Sequence, residues 1–469
     1  MIMKTYIATI SLILISAVSF AQSTALRLNN AVQLLLKDEQ MKHASMSLYV
    51  VETKTGKVVY HLNEQTGLAA ASTQKLFTSI AAFDLLGKDY RFKTELGYYG
   101  EIENDSLSGA LFVRGHGDPS FGSWRYNATK PESILEKFTS AITSAGIKKI
   151  YNKFYVASEA FENQSIPDGW IWEDIGNYYG AGFWPLNWKE NQYDLVLKSG
   201  DKIGGSVEII SLNGEKSNGA NFNNQLTAAA KGTGDNAYIY LPDEDNERLI
   251  KGTIPVNENN FEISGATTDP IYDFIGDFCT FLEQKKILNK PDAWQYTLVK
   301  RMADTGKIIY THYSPSLDSI NYWFLQKSIN LYGEALLKTM AYEKAGYGST
   351  AKGIEILKDF WSKSGIEKSA LNIVDGSGLS PQNRVTTDAL VKALQYAKTR
   401  DWYGSFYNAL PLYNGMKMKS GTIGGAKAYA GYHTSKSGME YTFAIIINNY
   451  DQEAGSIVPK MFRVLNELK

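Results

Sequence analysis

Ala70-Ala71-Ser72-Thr73-Gln74-Lys75-Leu76-Phe77-Thr78 is the stretch from which the architecture and the chemistry of this chain unfold. Over residues 72–86 apolar side chains recur at three- and four-residue steps (Leu76, Phe77, Ile80, Phe83), the period of an amphipathic helix. Ser72 and Lys75 stand three apart, so on a helix they share a face and the lysine nitrogen can reach the serine hydroxyl. At the helix N-terminus the serine oxygen also lies in the positive end of the helix dipole, which favours negative charge developing there. Such help matters, because a serine hydroxyl is a poor nucleophile until a neighbouring base takes its proton. Taken alone, the same spacing also fits a serine that merely caps the helix.

Working outward, residues 45–62 are β-rich runs on either side of Lys54-Thr55-Gly56, a hairpin by turn chemistry. A second hairpin pairs 427–434 with 440–448 across Ser435-Lys436-Ser437-Gly438, and residues 455–468 have a helical pattern. Further helical patterns cover 316–344, 350–364 and 386–398. Between about 91 and 266 the character changes: short strands (108–114, 149–157, 205–211, 236–242, 247–253), Gly- and Asn-rich turns, and Trp170, Trp172, Trp184 and Trp188. This pattern predicts an inserted region of one or two small β-rich domains, interrupting a catalytic domain built from 22–90 and about 267–469.

Composition narrows the class. With 48 basic and 49 acidic residues the net charge is -1, which opposes a protein whose main task is neutralising nucleic-acid phosphates or coating an acidic bilayer. The N-terminus carries Lys4, an apolar stretch from Tyr6 to Phe20, and Ser19-Phe20-Ala21, the pattern of a secretory signal cleaved after Ala21. Residues 1–21 are therefore expected to be a signal peptide and the protein periplasmic or otherwise exported. The apolar core is shorter than the ~20 residues a spanning helix needs, so no stable transmembrane anchor is expected. Cys279, the only cysteine, excludes an intramolecular disulfide and lies in an apolar helical pattern, as a core residue would.

Two more motifs change the weight of the first. Ser328-Ile329-Asn330 falls at a break between two helical segments, and Lys419-Ser420-Gly421-Thr422 on or beside the strand preceding the last hairpin. Separately they suggest a helix cap and a turn. In the chain order SxxK, SxN, K[ST]G, each in its expected setting, they form the signature of serine penicillin-recognising enzymes. With Arg114-Gly115-His116-Gly117-Asp118-Pro119-Ser120, Asp375-Gly376-Ser377-Gly378-Leu379-Ser380 and Ala430-Gly431-Tyr432, the chain resembles the low-molecular-mass class C penicillin-binding proteins, the S13-type D-alanyl-D-alanine carboxypeptidase/endopeptidases. The likeness runs from about residue 25 to the end.

The resemblance implies an α+β fold, a penicillin-binding transpeptidase-like domain whose antiparallel sheet has helices on both sides, interrupted by the long β-rich insert. It implies a serine carboxypeptidase, endopeptidase or both, acting on peptidoglycan stem peptides through an acyl-enzyme and acylated by β-lactams, with no cofactor and no metal. Ser72 would attack, Lys75 would accept its proton, and Ser328 and Lys419 would relay a proton to the departing D-alanine. Asn330 would hydrogen-bond the substrate amide. Ser420, Gly421 and Thr422 would bind substrate, with Ser420, Thr422 and Lys419 on its carboxylate and the N–H groups of Ser72 and Thr422 as oxyanion hole. The sequence departs from the family at Ile329, where Asp is common, at Pro381, where Arg is common although Arg384 is near, and at Gly424. An acid of the insert falls loosely near Ala157 or Ser158, with Glu159 adjacent. His116 with Asp118 suits a Gly-rich turn better than a metal site, which needs a third ligand, and Asp375 suits turn chemistry. A non-catalytic peptidoglycan-binding scaffold, and a β-lactamase or esterase on the same fold, are the alternatives. No protein partner is indicated.

Overall fold

The structure is a computed structural model that describes residues 24–151, 153–217, 219, 221–242, 247–288, 295–299 and 306–469. The expected signal peptide lies outside the described residues. The chain forms two compact units, one from residues up to Ala81 with Asn321–Ser328 and Glu355–Lys469, the other from Ala82–Ile320 with Ile329–Ile354.

The first unit is built on a six-stranded antiparallel sheet. Its order is Leu412–Tyr413, Met416–Ile423, Ala426–Thr434, Glu440–Asn448, Ser45–Glu52, Val58–Leu62, so strands from both ends of the chain meet at its centre. Side chains alternate across the strands. Met416, Met418, Phe443, Ile445, Ile447, Leu48 and Val50 line one face, buried against Leu28, Val32 and Leu35 of a helix over 24–36 and against Met461, Val464 and Leu465 of the closing helix Val458–Asn466. The opposite face carries small residues at its centre, Ala428, Ala430 and Ala444, all buried. Helix Thr387–Lys398 lies there, with Thr387 Oγ1 2.7 Å from Ser47 Oγ and Leu394 O accepting from the Tyr432 hydroxyl at 2.6 Å. On the same side begins helix Lys75–Leu86, whose Leu76, Phe77, Ile80 and Ala81, the part within this unit, are buried together with Thr78 and Ser79, as a helix inside a domain must be. Helices on both faces of an antiparallel sheet make the expected α+β class.

The second unit contains a five-stranded mixed sheet, Gln295–Val299, Lys153–Ala157, Ser106–Gly115, Lys93–Glu103, Lys307–Tyr313. Helices Pro131–Ser144 and Pro270–Gln284 supply Phe138, Phe274 and Phe278 to its core, together with Cys279, whose thiol burial pushes up to about 12. Two smaller sheets, Asn236–Tyr240 with Arg248–Pro255 and Phe222–Ala229, and Phe261–Ala266 with Gln192–Ser199, Val207–Leu212 and Glu215–Lys216, share a separate core around Leu195, Leu197, Leu226, Ile250 and Ile254. Strands 295–299 and 307–313 come from the stretch that the sequence pattern groups with the catalytic domain. Their pairing with Lys153–Ala157 and Lys93–Glu103 sets them in the second unit. Among the described residues, no helix is long and apolar enough to cross a membrane.

Candidate active site

Ser72 sits in a 3-10 turn, Ala71–Gln74, that leads directly into helix Lys75–Leu86. The capping position is Ala70, and the serine hydroxyl is engaged otherwise: Lys75 Nζ donates to Ser72 Oγ at 2.9 Å. Ala71 is held at φ +46, a left-handed conformation that costs a non-glycine residue of order 1 kcal/mol and persists only where the surroundings impose it. The surroundings are visible. The Asn448 side chain donates to Ala69 O at 2.9 Å and accepts from Ala69 N at 2.7 Å, fastening the approach to the turn onto the central strand. The turn itself is wedged between two glycines: a Cβ on Gly421 would lie 2.2 Å from Ala70 O, and one on Gly378, at φ +82, would lie 2.2 Å from Ala71 O. Gly421 thus has a packing reason to be glycine, namely the close approach of the Ser72 turn to the strand.

Lys75 is fully buried, and besides Ser72 its Nζ donates to Ser377 O at 2.7 Å and lies 5.9 Å from the Phe324 ring centre. Ser377 is presented by a loop that Asp375 organises. Its buried carboxylate accepts from Gly378 N (2.8 Å), Ser380 N (2.7 Å), Asn383 Nδ2 (2.9 Å) and Gln74 Nε2 (3.1 Å). Thr78 Oγ1 donates to Gly376 O at 2.7 Å, so Gln74 and Thr78, one turn apart, clamp the same loop. Asp375 therefore performs turn chemistry, yet Gln74, Thr78 and Ser377 join the site without any spacing rule pointing to them. The sequence signal is Asp375-Gly376-Ser377-Gly378, whose glycines mark a turn and not its partner.

Ser328 follows helix Leu317–Gln326 and is itself left-handed, at φ +59. Lys419 reaches it from strand Met416–Ile423, with Nζ donating to Ser328 Oγ at 2.9 Å and to Ser420 O at 2.8 Å. Lys419 is 1 % exposed, and burial, then the positive charges of Lys75 and Lys427, hold its affinity for a proton well below that of an ordinary lysine. Further along the strand Ser420 is half-buried, Gly421 buried and Thr422 exposed. Ser72, Lys75, Ser328, Lys419, Ser420, Gly421 and Thr422 all belong to the first unit.

Asn330 is the first residue of helix Asn330–Ala345 and belongs to the second unit. It is nearly buried, and its Nδ2 donates to Tyr179 O at 2.7 Å. Tyr179 lies in the turn Tyr178–Gly180 and hydrogen-bonds Asp174, whose carboxyl is raised to about 6 by burial first and by neighbouring Glu173 second. Asp174 is thus the acid next to the Asn330 turn. Glu159, the acid suggested by the loose alignment, instead pairs with Arg114 Nε at 3.2 Å. His116 Nε2 lies 3.2 Å from Glu95 Oε2 of strand Lys93–Glu103, a pairing across the sheet, whereas Asp118 Oδ1 accepts from Ser120 N and Oγ at 2.8 and 2.6 Å, a turn-like arrangement. Arg384 turns back on its own loop, donating to Pro381 O at 2.5 Å and Asn383 O at 2.8 Å.

The fold is that of a penicillin-binding protein. The crystal structure of penicillin binding protein 4 from Haemophilus influenzae superposes with a TM-score of 0.76 at 21% identity, over 94% of this chain and 97% of that one. In sequence the chain is 25% identical to the D-alanyl-D-alanine carboxypeptidase of Actinomadura sp. (strain R39), over 93% of this chain and 83% of that protein. It is 23% identical to the D-alanyl-D-alanine carboxypeptidase DacB of Haemophilus influenzae, over 84% of this chain and 83% of the relative. The chain belongs to the D-Ala-D-Ala carboxypeptidase 3 (S13) family, whose model matches residues 28–467. It is a hydrolase of that class, as its motifs lead one to expect.

Proposed function

We propose that this protein is exported and cleaves peptidoglycan stem peptides ending in D-alanyl-D-alanine, or the cross-links made from them, through an acyl-enzyme on Ser72. The observation that carries the reading is the pair of serine–lysine contacts, Ser72 with Lys75 and Ser328 with Lys419, each at 2.9 Å on one unit. Ser72 Oγ attacks the carbonyl of the penultimate residue while its proton passes to Lys75 Nζ, which reacts as the neutral amine. The C–N bond to the last D-alanine then breaks, and the departing nitrogen takes a proton relayed through Ser328 from Lys419, which burial and its positive neighbours leave loosely protonated. Water attacks the resulting ester, Lys75 returns its proton to the departing Ser72 Oγ, and a proton from the water restores Lys419 through Ser328. The backbone N–H groups of Ser72 and Thr422 serve as the oxyanion hole, a contribution of about 3 to 4 kcal/mol per donor in comparable enzymes. That role is supported by the approach of the turn to the strand, where the position of a Gly421 Cβ would be 3.0 Å from Ser72 N. Asn330 orients the substrate amide, and Ser420 and Thr422 take its carboxylate. A purely scaffolding protein would have no use for a lysine buried against a serine hydroxyl.

Labelling with a fluorescent penicillin tests the reading. Protein lacking residues 1–21 is expected to be tagged covalently at Ser72, and Ser72→Ala to lose the tag while unfolding near the wild-type temperature. A tag retained in Ser72→Ala would remove the central claim, and rapid loss of the tag by hydrolysis would favour a β-lactamase.

A further inference from the structure

Strand Ala426–Thr434 lies beside the strand that carries Lys419, Ser420 and Thr422, and its Lys427 is the register partner of Thr422. Lys427 Nζ donates to Thr422 Oγ1 at 2.6 Å. The lysine stem lies over Tyr429, its nitrogen 5.2 Å from the ring centre, and Tyr429 is itself buried and packed against Tyr413 and Phe462. Lys427 is therefore held in place.

Its charge has no counter-ion. Among the described residues, Lys427 is bonded to a hydroxyl and an aromatic face, and Lys419 to a hydroxyl and a carbonyl, with no carboxylate on either. Ammonium groups on adjacent strands, near Ser420 to Thr422 and partly or wholly withdrawn from water, favour an anion beside them. Burial lowers the proton affinity of Lys427 as it does that of Lys419, and Lys427 is among the charges that lower Lys419.

The hydrogen-bond inventory gives the direction. An ammonium has donors only, so in the Lys427 contact the Thr422 oxygen must accept. The hydroxyl proton of Thr422 is then left to donate elsewhere, and a donor whose oxygen already accepts from a cation is polarised into a stronger one. We propose that Lys427 is a positioning residue for substrate recognition: its ammonium fixes and polarises the Thr422 hydroxyl so that this hydroxyl donates to the substrate's terminal carboxylate. The inference rests on the reading of the chain as a carboxypeptidase of Ser72, and it adds a cation that none of the SxxK, SxN and K[ST]G motifs contains.

The test is a ratio taken on one preparation, so that any inactive fraction cancels. kcat and KM are measured for a D-Ala-D-Ala peptide with a free C-terminal carboxylate and for the same peptide amidated at that end. In Lys427→Met the preference for the carboxylate is expected to fall about tenfold, mostly through KM with kcat within about twofold, and Lys427→Arg to recover most of it. Should Lys427→Met not fold, Lys427→Gln carries the same comparison. An unchanged ratio in the charge-removing variant, or an equal loss on both peptides, overturns the inference. Failure of the underlying reading looks different: the wild type would turn over neither peptide, or Ser72→Ala would keep its activity.

Discussion

Ser72 and Lys75 meet within one turn of chain, Ser328 and Lys419 across 91 positions, and both contacts measure 2.9 Å. In the first pair the helix brings the partners together, because residues three apart share a face whatever the rest of the molecule does. In the second, a strained turn at φ +59 and the register of strand Met416–Ile423 must both be right before the nitrogen reaches the hydroxyl. The lysines are nevertheless linked, since the charge of Lys75 is one of the causes that loosen the proton of Lys419. The comparison teaches that a local pair can be written into four residues, whereas its long-range twin needs the whole sheet.

The largest expected effect breaks the local pair. Lys75→Ala removes the proposed base while leaving Ser72 in its turn, and acylation by penicillin should slow by about 10² to 10⁴, the usual range for general-base catalysis. Stopped-flow labelling measures it. A loss below about tenfold would transfer the base role to another group, with Lys419 the first to examine by its own alanine variant.

A smaller effect separates the two pairs. Gly421→Ala places a methyl group where Ala70 O now sits 2.2 Å from the Cβ position, so the turn must move off the strand. Overpacking of this kind costs about 1 to 3 kcal/mol. The Ser72–Lys75 contact, internal to the helix and its leading turn, should survive in a crystal structure of the variant, while acylation slows because the turn has lost its registration with Lys419. Full-rate acylation with unchanged thermal stability would show that the strand yields freely and that the close approach does not matter.

The smallest effect concerns the strained turn. Glycine adopts φ +59 without penalty, so Ser328→Gly should leave folding stability within about 1 kcal/mol of wild type, relief of strain offsetting the lost bond to Lys419 and the greater freedom of the unfolded chain. Acylation should fall all the same if the proposed relay runs through Ser328, because its hydroxyl is gone. A large drop in the thermal midpoint would mean that the Ser328–Lys419 bond holds the turn, and that the long-range pair stabilises the fold as well as serving the chemistry.

Much of the architecture is legible in the sequence. Both hairpins are marked by turn residues between β-rich runs, and the central strand Glu440–Asn448 announces itself by being apolar on both faces. Partner choice is another matter. Nothing in Lys307–Tyr313 says that it pairs with Lys93–Glu103, because alternation fixes which side chains share a face and not which strand lies alongside. The same limit applies at the site. Glu159 is an acid in a suitable stretch, but Arg114 takes it, while Asp174 stands by the Asn330 turn through the hydrogen bonds of Tyr179, an arrangement no spacing encodes.

By itself the sequence determined the chemical groups and the one contact that helical geometry makes obligatory, because a helix converts separation along the chain into a fixed distance in space. The tertiary structure alone decided what surrounds them. The Gly421 and Gly378 wedge and the Asp375 loop that offers Ser377 O to Lys75 join residues far apart in the chain, and the contact of Lys427 with Thr422, five positions apart, joins neighbouring strands; each exists only once the sheet has chosen its register.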